Sequence, residues 1–317
     1  MIALPATLKP ELATLVARPP AGDDWLYEIK FDGYRLLARI ERKAAQLFTR
    51  NGNDWTARLR PLEKELRALK LPDGWYDGEI VVLNDEGKPS FNLLQLAFDV
   101  SKPRSIIYYL FDVPYCAGED LRGLPLIERR ARLADVLGDG SDAVRFSAAL
   151  DGDIHDLIGS ACELGLEGII GKRKGSRYVS RRSDDWIKLK CSLRQEFVIG
   201  GFTDPEGSRS GFGSLLLGVF DKAGELQYAG NVGTGFDTEL LVDLRAKLDS
   251  IETTKKPFPA STKIPKKGVH WVEPKMVAEV SFGEWTPSGH IRHSTFRGLR
   301  ADKPARQIRR EKPSSSR

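Results

Sequence analysis

The sequence contains little cysteine and no long hydrophobic run. Its three cysteines, Cys116, Cys162 and Cys191, are too few and too scattered for a disulfide framework, and the absence of a C-x-x-C pair argues against a structural zinc site. We therefore expect buried or neutral thiols. No apolar segment approaches the roughly 20 residues that a membrane-spanning helix needs, and the first residues lack the apolar core of a signal peptide. A cytoplasmic protein without membrane contact is expected.

The composition is that of a folded protein. Hydrophobic residues make up 41% of the 317 residues and charged residues 29%, which excludes wholesale disorder. At roughly 100–200 residues per domain, this length predicts two domains.

Positive charge is concentrated in two stretches. The formal net charge is only +5, from 49 Lys+Arg and 44 Asp+Glu. Residues 172–194 and residues 292–317 each hold nine basic and two acidic side chains, so each carries +7 while the rest of the chain carries −9. This uneven placement indicates a polyanionic partner that is bound through specific surfaces.

The two halves of the chain differ in pattern. The first 190 residues alternate strand patterns at residues 25–30, 36–40, 47–50, 80–83, 106–111, 168–170 and 186–190 with helical patterns at residues 55–69, 127–137 and 154–164. After about residue 192, short strands separated by glycine-rich turns, with one helix at residues 238–251, favour a small β-barrel.

Six short motifs follow one another along the chain. In order, they are Lys30-Phe31-Asp32-Gly33, Asp77-Gly78-Glu79, Tyr109-Leu110-Phe111-Asp112, Glu167-Gly168-Ile169-Ile170-Gly171-Lys172, Trp186-Ile187-Lys188-Leu189-Lys190-Cys191 and Arg300-Ala301-Asp302-Lys303. Their order resembles motifs I, III, IIIa, IV, V and VI of the covalent nucleotidyltransferases, the superfamily of polynucleotide ligases and mRNA capping enzymes. One such motif is weak, but six in order are specific.

The resemblance implies an α+β protein of two domains. Residues 1–192 would form a nucleotidyltransferase (adenylation) domain with antiparallel sheets and flanking helices, and residues 193–303 an OB-fold β-barrel. Residues 304–317 would be a flexible basic tail. Residues 253–268, rich in lysine and proline, predict a mobile loop that either faces DNA or lies idle on the surface.

In the resembling family, the lysine at the position of Lys30 is the nucleophile that becomes N6-AMP-lysine. A lysine nucleophile must be deprotonated, and nearby cations favour the neutral amine. Lys188 and Lys190 lie two residues apart on a predicted strand, so they share one face. The resemblance places this pair at the α-phosphate; the alternative is a solvated strand face.

The remaining site residues are also assigned by resemblance. Glu79 and Glu167 would bind Mg²⁺ or Mn²⁺, since hard carboxylate oxygens suit these cations, and Glu79 could instead bind the ribose. Phe111 would stack on adenine, although packing in the core is the alternative. The other nucleotide contacts would be Glu28 at the adenine end, Arg50 at the sugar, Arg35 at a phosphate, and Arg300 and Lys303 at the pyrophosphate. Arg309 and Arg310, in the tail, would contact the DNA backbone.

Further segments point to one branch of the superfamily. Residues 77–79 and 296–303 resemble ATP-dependent DNA ligases. The ligase module of bacterial ligase D is resembled by residues 120–126 with Glu128-Arg129-Arg130, by residues 211–218 and by residues 228–236. Only 29 residues precede Lys30, and the zinc cysteines of NAD-dependent ligases are missing, so ATP is the expected cofactor. The polymerase and phosphoesterase modules of full ligase D are absent, so the chain is either free-standing or a piece of a larger ligase.

The expected activity is sealing of 5′-phosphate/3′-hydroxyl nicks through a lysyl-AMP and an adenylated DNA, in repair or end joining. The expected partners are nicked or broken double-stranded DNA at a bacterial nucleoid and a Ku-like end-binding protein, with the chain acting as a monomer. One alternative is an RNA ligase or a capping-type guanylyltransferase. Another is a catalytically silent nick-binding module.

Overall fold

The computed structural model describes residues 2–98, 105–205, 207, 210–264 and 268–312. The chain divides into two compact units. The first unit ends at Cys191, and the second spans Ser192–Glu311. In the described part of the chain, no helix combines the length and the apolar character that a membrane crossing requires.

The first unit consists of two sheets with flanking helices. Its strands are β1 (Leu12–Leu15), β2 (Trp25–Ile29), β3 (Tyr34–Glu41), β4 (Ala44–Thr49), β5 (Gly74–Val81), β6 (Ile107–Cys116), β7 (Glu119–Asp120), β8 (Val144–Phe146), β9 (Gly168–Arg173) and β10 (Arg182–Lys190). Its helices are a 3-10 turn (Thr56–Leu59), α1 (Arg60–Ala68), α2 (Phe91–Leu96), α3 (Leu126–Leu137) and α4 (Ile154–Glu163). Most strand and helix patterns predicted for residues 25–190 are confirmed, with ends that differ by up to five residues. The strand predicted at residues 80–83 is wrong in its bounds, because β5 begins six residues earlier, and β1, β7, β8 and α2 were not predicted.

One sheet has the strand order β1-β10-β9-β2, and the other has the order β4-β3-β5-β6-β7 with β8 on β6. The predicted antiparallel sheets are only partly right, because β1 pairs with β10 and β8 with β6 in parallel. The parallel pair β6 and β8 is possible because α3 lies between them in the chain and supplies the long crossover that parallel strands need.

The larger sheet forms the main core of the first unit. Its central strands β5 and β6 are buried almost throughout. The apolar runs at residues 80–83 and 106–111 predict such burial, although β5 also contains the polar motif Asp77-Gly78-Glu79. Helix α1 packs Leu62 and Leu66 into this core, and α3 packs Leu133 and Leu137 into it. The two helices therefore cover a sheet that positions side chains of β3, β5 and β6.

The second unit is built mainly from strands. They are β11 (Leu193–Thr203), β12 (Leu215–Phe220), β13 (Leu226–Val232), β14 (Glu252–Thr253), β15 (Val269–Val272), β16 (Val277–Phe282), β17 (Glu284–Trp285), β18 (Ile291–Arg292) and β19 (Thr295–Leu299), with the helix α5 (Thr238–Asp249) and a 3-10 turn (Ala305–Gln307). The main sheet has the order β13-β12-β11-β15-β14, and β16 pairs with both β11 and β19. Within the described residues these pairings do not close a ring, so the predicted barrel is an open one, as OB-folds commonly are.

Two segments that were predicted to be mobile are anchored in the second unit. In the loop at residues 253–268, of which residues 265–267 lie outside the described part, Phe258 is buried against Tyr228 and Trp271. In the tail, Ala305 and Ile308 are buried, and the backbone N–H of Phe220 donates to the Ile308 carbonyl at 2.9 Å. Burial of these apolar side chains fixes segments whose polar composition suggested mobility; residues 313–317 lie outside the described part.

The expectation of three unpaired cysteines is wrong for two of them. Cys162, near the end of α4, and Cys191, directly after β10, form a disulfide with their Cα atoms 5.1 Å apart. Cys116 is a buried free thiol, as expected. The two bonded cysteines are 29 residues apart in the chain. Only the meeting of the ends of α4 and β10 brings them together, and no local spacing signals it.

Candidate active site

Lys30 directly follows β2, at one end of the smaller sheet. Its backbone N–H donates to the carbonyl of Gly168 at 3.0 Å, and Lys190 lies opposite Gly168 on the other side of β9. Glu28 on β2 and Lys188 on β10 both pair with Ile170 of β9, two residues after Gly168. Because side chains two residues apart share a face of a sheet, the fold places Lys30, Lys190, Glu28 and Lys188 on one face. The predicted grouping of these residues is therefore present.

Gly168 allows the strands at this point to approach closely. Its φ is +146°, and a Cβ atom at this position would lie 2.0 Å from the Leu189 carbonyl oxygen. No side chain fits there without moving the backbone of β10. The glycine of the Glu167-Gly168 pair therefore keeps Lys190 close to Lys30.

The side chain of Lys30 pairs with the carboxylate of Glu167. The Lys30 Nζ lies 2.5 Å from Glu167 Oε2, and the two side chains are 18% and 6% exposed. Glu167 immediately precedes β9 and its backbone carbonyl accepts from the N–H of Cys191. Residues from the first, fourth and fifth predicted motifs thus meet at one point.

The larger sheet contributes a second row of side chains. Arg35, Glu79 and Tyr109 lie opposite one another on β3, β5 and β6. The guanidinium of Arg35 donates to both carboxylate oxygens of Asp77, at 2.5 and 2.6 Å, and the hydroxyl of Tyr178 donates to Asp77 at 2.6 Å. Burial opposes the charge on Arg35, but the neighbouring Asp77 carboxylate outweighs it and raises the pKa of Arg35. Arg35 is therefore held as a fixed cation.

Arg50 lies at the same end of this sheet. Leu36 on β3 pairs with Thr49 on β4. Arg35 directly precedes Leu36, and Arg50 directly follows Thr49. Arg50 is half-buried, directly after β4. The fold therefore brings Arg50 near Arg35 and Glu79, as their shared assignment to the nucleotide requires.

Phe111 lies in a small aromatic cluster with Trp186 and Tyr178. Its side chain is buried, and its ring centroid is 6.0 Å from that of Trp186. The Lys172 Nζ lies 4.1 Å from the Phe111 ring centroid and the Arg35 guanidinium lies 4.3 Å from it. Two cations thus contact the ring that was assigned to adenine. The core-packing alternative describes this arrangement, and stacking on adenine stays a prediction.

Glu28 is held by three donors that the sequence did not assign to the site. Its Oε1 accepts from Arg130 at 2.6 Å and from Lys172 at 2.8 Å, and its Oε2 accepts from the Ser147 hydroxyl at 2.8 Å. Burial lowers the pKa of Lys172 to about 8, although Glu28 opposes that change. A basic pair at residues 129–130 was visible in the sequence, but nothing local indicated which carboxylates it would meet.

The neighbouring Arg129 forms a separate buried pair. It donates twice to Asp112, at 2.8 Å each, and both side chains are fully buried. Its remaining hydrogen bonds go to the carbonyls of Leu124 and Ser176. These contacts join α3 to β6, to the loop before α3 and to the chain after β9, so Arg129 has a structural role.

In the second unit, the basic residues of the last motif pair with carboxylates of the same unit. Arg300 donates to both oxygens of Asp302 at 2.9 Å and to Glu279 at 3.0 Å, and Lys303 pairs with Glu196. The side chain of Arg300 is 8% exposed. Contact of Arg300 and Lys303 with pyrophosphate stays a prediction.

The two arginines that were assigned to DNA lie on the second unit after the 3-10 turn. Arg309 donates to the Arg306 carbonyl at 2.7 Å, and the Arg310 guanidinium lies 4.2 Å from the Trp285 ring centroid. Both side chains are exposed. They are therefore ordered but accessible cations, and their contact with DNA stays a prediction.

Comparison with known protein families shows which family the chain belongs to. The family described as "ATP dependent DNA ligase domain" matches residues 8–190, and the family described as "ATP dependent DNA ligase C terminal region" matches residues 208–303. The chain belongs to the ATP-dependent DNA ligases. Its first unit is the nucleotidyltransferase domain, and its second unit is the OB-fold domain.

The curated relatives include longer end-joining proteins. The chain is 52% identical over 315 residues to the "Multifunctional non-homologous end joining protein LigD" of Pseudomonas aeruginosa, covering 98% of this chain and 37% of the relative. It is 38% identical over 296 residues to the "Multifunctional non-homologous end joining DNA repair protein LigD" of Mycobacterium tuberculosis, covering 90% of this chain and 37% of the relative. The chain thus spans little more than a third of the length of these relatives.

Solved structures agree with the family. A "mycobacterial DNA ligase D complexed with ATP and MES" matches with a TM-score of 0.71 and 36% identity, covering 96% of this chain and 98% of the other. The ligase domain of M. tuberculosis LigD matches with a TM-score of 0.50 and 37% identity, with the same coverage. The predicted resemblance to ATP-dependent DNA ligases and to ligase D is confirmed.

The carboxylates of the nucleotidyltransferase domain fit a divalent cation that is shared with a nucleotide. Among the residues that the structure describes, no group of three or more His, Cys, Asp or Glu side chains could hold a metal by itself. Mg²⁺ is commonly held by one or two carboxylates together with substrate phosphates. Glu79 on β5 and Glu167 directly before β9 supply such oxygens, so the chemistry of the donor set fits a metal that arrives with the phosphates.

Proposed function

We propose that this chain is an ATP-dependent DNA ligase that seals nicks between a 5′-phosphate and a 3′-hydroxyl in double-stranded DNA. The observation that carries the proposal is the contact of Lys30 with Glu167 beside Lys190, in a chain of this family. The Lys30 amine is held there by the Glu167 carboxylate, on a face of the smaller sheet that also carries Lys188 and Lys190.

In the first step, Lys30 attacks the α-phosphorus of ATP. The new bond joins Nζ to phosphorus, and the bond from that phosphorus to the departing pyrophosphate oxygen breaks. The Glu167 carboxylate in contact with Nζ orients the amine and accepts the proton that Nζ loses as the new bond forms. Lys188 and Lys190 stabilise negative charge on the transferred phosphate.

In the second step, an oxygen of the 5′-phosphate of the nick attacks the phosphorus of the AMP, and the bond from that phosphorus to Nζ breaks. Nζ takes up a proton and leaves as the neutral amine. In the third step, the 3′-hydroxyl attacks that phosphate, AMP leaves and the strand is sealed. A Mg²⁺ or Mn²⁺ ion held by Glu79 and Glu167 would neutralise phosphate charge when bound.

The other nucleotide contacts that we propose are those that the family resemblance implies. Glu28 lies on the same sheet face as Lys30, and its carboxylate accepts a hydrogen bond from an amino group of the base. Phe111 offers a ring to the base, while Arg50 lies toward the sugar and Arg35 toward a phosphate. Arg300 and Lys303 contact the pyrophosphate, and Glu196, Glu279 and Asp302 hold them when no nucleotide is bound.

The biological setting that we infer is bacterial double-strand-break repair. Its support is the similarity to relatives whose names state non-homologous end joining. Nicked or broken duplex DNA is the substrate, Arg309 and Arg310 contact its backbone, and a Ku-like end-binding protein delivers it. End processing is not part of this proposal, because the chain covers only a third of those relatives.

The nucleophile is tested by covalent labelling with ATP that carries radiolabel at the α-phosphate. We expect labelled wild-type protein, an unlabelled Lys30→Ala variant and a fully labelled Lys174→Ala variant, since Lys174 is an exposed lysine of the same domain that bonds the Asp23 carbonyl. Label on Lys30→Ala would remove Lys30 as the nucleophile.

The substrate is tested by sealing of a 5′-phosphorylated nick. We expect sealing of nicked DNA with ATP and none with NAD⁺. Preference for nicked RNA would favour an RNA ligase, and label from GTP alone would favour a capping-type enzyme. Binding of nicked duplex without any adenylate would identify a silent binding module.

A further inference from the structure

One guanidinium joins the two sheets of the nucleotidyltransferase domain. Nη1 of Arg130 donates to Glu28 on β2 at 2.6 Å and to the backbone carbonyl of Phe111 on β6 at 3.1 Å. Nη2 of Arg130 donates to the carbonyl of Ser147 at 2.6 Å, and the Ser147 hydroxyl donates to the second oxygen of Glu28. The side chain is 6% exposed. Arg130 therefore reaches neither solvent nor DNA and acts on its neighbours.

The residues that Arg130 holds are the two that were assigned to the base of the nucleotide. An ionised carboxylate has about four acceptor positions. Arg130, Lys172 and Ser147 fill three of those of Glu28, two on Oε1 and one on Oε2. The remaining position lies on Oε2, where an amino group of a base would donate. The carbonyl oxygen of a guanine would meet a carboxylate oxygen there, with no proton between them.

We propose that Arg130 is a positioning residue for base selectivity, which acts by holding the Glu28 carboxylate and the β6 backbone at Phe111 in one fixed arrangement. The inference rests on the proposed function, since it concerns the nucleotide that adenylates Lys30. Arg130 itself touches neither the nucleotide nor the reacting atoms.

The geometry requires an arginine at this position. A planar guanidinium delivers three hydrogen bonds in two directions from one rigid group, whereas a lysine ammonium is a point charge on a flexible chain. Arg130→Lys keeps the charge beside Glu28 but cannot reach the carbonyls of both Phe111 and Ser147 with the same geometry. Glu28 and Phe111 would then move independently of each other.

The adjacent Arg129 provides a matched control. It lies on the same helix, is equally buried and forms bidentate bonds, but its partner is Asp112 and it has no described bond to Glu28. Arg129→Lys should destabilise the domain without changing base selectivity. Ser147→Ala provides a milder test, since it removes one neutral hydroxyl that donates to Glu28.

The experiment measures adenylation of the full chain with ATP and with GTP, each over a range of nucleotide concentration. Relative to wild type, we expect Arg130→Lys to raise the KM for ATP about tenfold with little change in kcat, and to lower the ATP-to-GTP ratio of kcat/KM by about tenfold, as for the loss of a hydrogen bond to a charged group. Ser147→Ala should shift the same ratio in the same direction by about threefold. Arg129→Lys should leave the ratio at the wild-type value.

An unchanged ratio in both Arg130→Lys and Ser147→Ala, with wild-type protein adenylated, would overturn this inference and leave the proposed function standing. An equal fall of the ratio in Arg129→Lys would also overturn it, because a general loosening of α3 would then be the cause. If Arg130→Lys does not fold, the Ser147→Ala ratio decides alone. Failure of wild-type protein to become adenylated would overturn the proposed function and this inference together.

Discussion

The Nζ atom of Lys30 lies 2.5 Å from the Oε2 atom of Glu167, although 137 positions separate these residues in the chain. The backbone N–H of Lys30 donates a hydrogen bond to the carbonyl of Gly168, the residue that follows Glu167. The side chain of Lys30 is thus held by Glu167 and its backbone by Gly168, so two contacts fix Lys30 beside the start of β9. The position of the reactive amine depends on the edge of β9 as much as on its own strand.

The first prediction concerns this contact. Glu167→Gln keeps the size of the side chain but removes its charge, so the rate of formation of lysyl-AMP should fall by about 10- to 100-fold, the effect of one hydrogen bond to a charged group. Single-turnover labelling with ATP measures this rate. The exposed Glu163 at the end of α4 serves as control, and Glu163→Gln should retain the wild-type rate. A Glu167→Gln rate within threefold of wild type would contradict the assigned role.

The second prediction concerns the disulfide between Cys162 and Cys191. Opening a 29-residue loop in the unfolded chain should lower the free energy of unfolding of the first domain by about 3 kcal/mol. Urea unfolding with and without dithiothreitol measures the difference. The double variant Cys162→Ser, Cys191→Ser should unfold like the reduced protein and should not respond to the reductant. Equal stability of oxidised and reduced wild-type protein would argue against the bond.

The third prediction concerns His270 in the OB-fold domain, whose ring nitrogens bond Glu252 at 2.7 Å and Asp204 at 2.9 Å. The hydrogen bond to Glu252 raises the pKa of His270, with a further contribution from Asp204 and against a smaller opposing effect of burial. Since the folded pKa exceeds the unfolded value of about 6.5, the stabilisation should be complete below pH 6.5 and should fade as pH rises through the folded pKa.

Urea unfolding of wild type and His270→Gln between pH 5.5 and about 9 tests this direction. The stability difference between the two proteins should be largest at the acidic end and should shrink toward alkaline pH. Glu252→Gln should remove most of the pH dependence, because it removes the main partner. A difference that grows with pH would show that the sign is wrong.

The fourth prediction concerns Arg309 and Arg310. Replacing both with glutamine should flatten the dependence of DNA affinity on salt, by about 0.9 in the logarithmic slope for each phosphate contact that is lost. Binding of nicked duplex over a range of salt concentrations measures the slope. Adenylation takes place without DNA and should continue in this variant, whereas Lys190→Ala should impair it. An unchanged slope would remove these arginines from the DNA interface.

Much of the nucleotidyltransferase domain could be predicted because its signals are local. Period-two and period-3.6 patterns located most of the strands and helices, and apolar runs marked the end of β5 and the first half of β6. The alternation of Lys188 and Lys190 predicted one shared face, and the register with β9 bears this out. Each of these features depends on residues within a few positions of one another.

The features that were missed depend on distant residues. Arg130 and Glu28 are 102 positions apart, and Ser147 and Glu28 are 119 apart. The anchoring of Phe258 and Ile308 likewise requires partners on other strands. The composition of a polar or proline-rich segment predicts mobility, but the burial of one apolar side chain against the core, as for Phe258, is enough to hold such a segment.

The sequence by itself determined which reactive side chains the protein has and the order in which they occur, because phosphoryl transfer requires an amine, cations and carboxylates in specific motifs. Only the tertiary structure decided how these side chains are held. Charges in a buried site must be paired, and each pairing is chosen by the approach of strands and helices that are far apart in the chain. The hydrogen bonds from Arg130 to Glu28 and to the Phe111 carbonyl satisfy such a buried charge. The disulfide between Cys162 and Cys191 pairs no charge, but it also depends on the approach of distant elements and has no local signature.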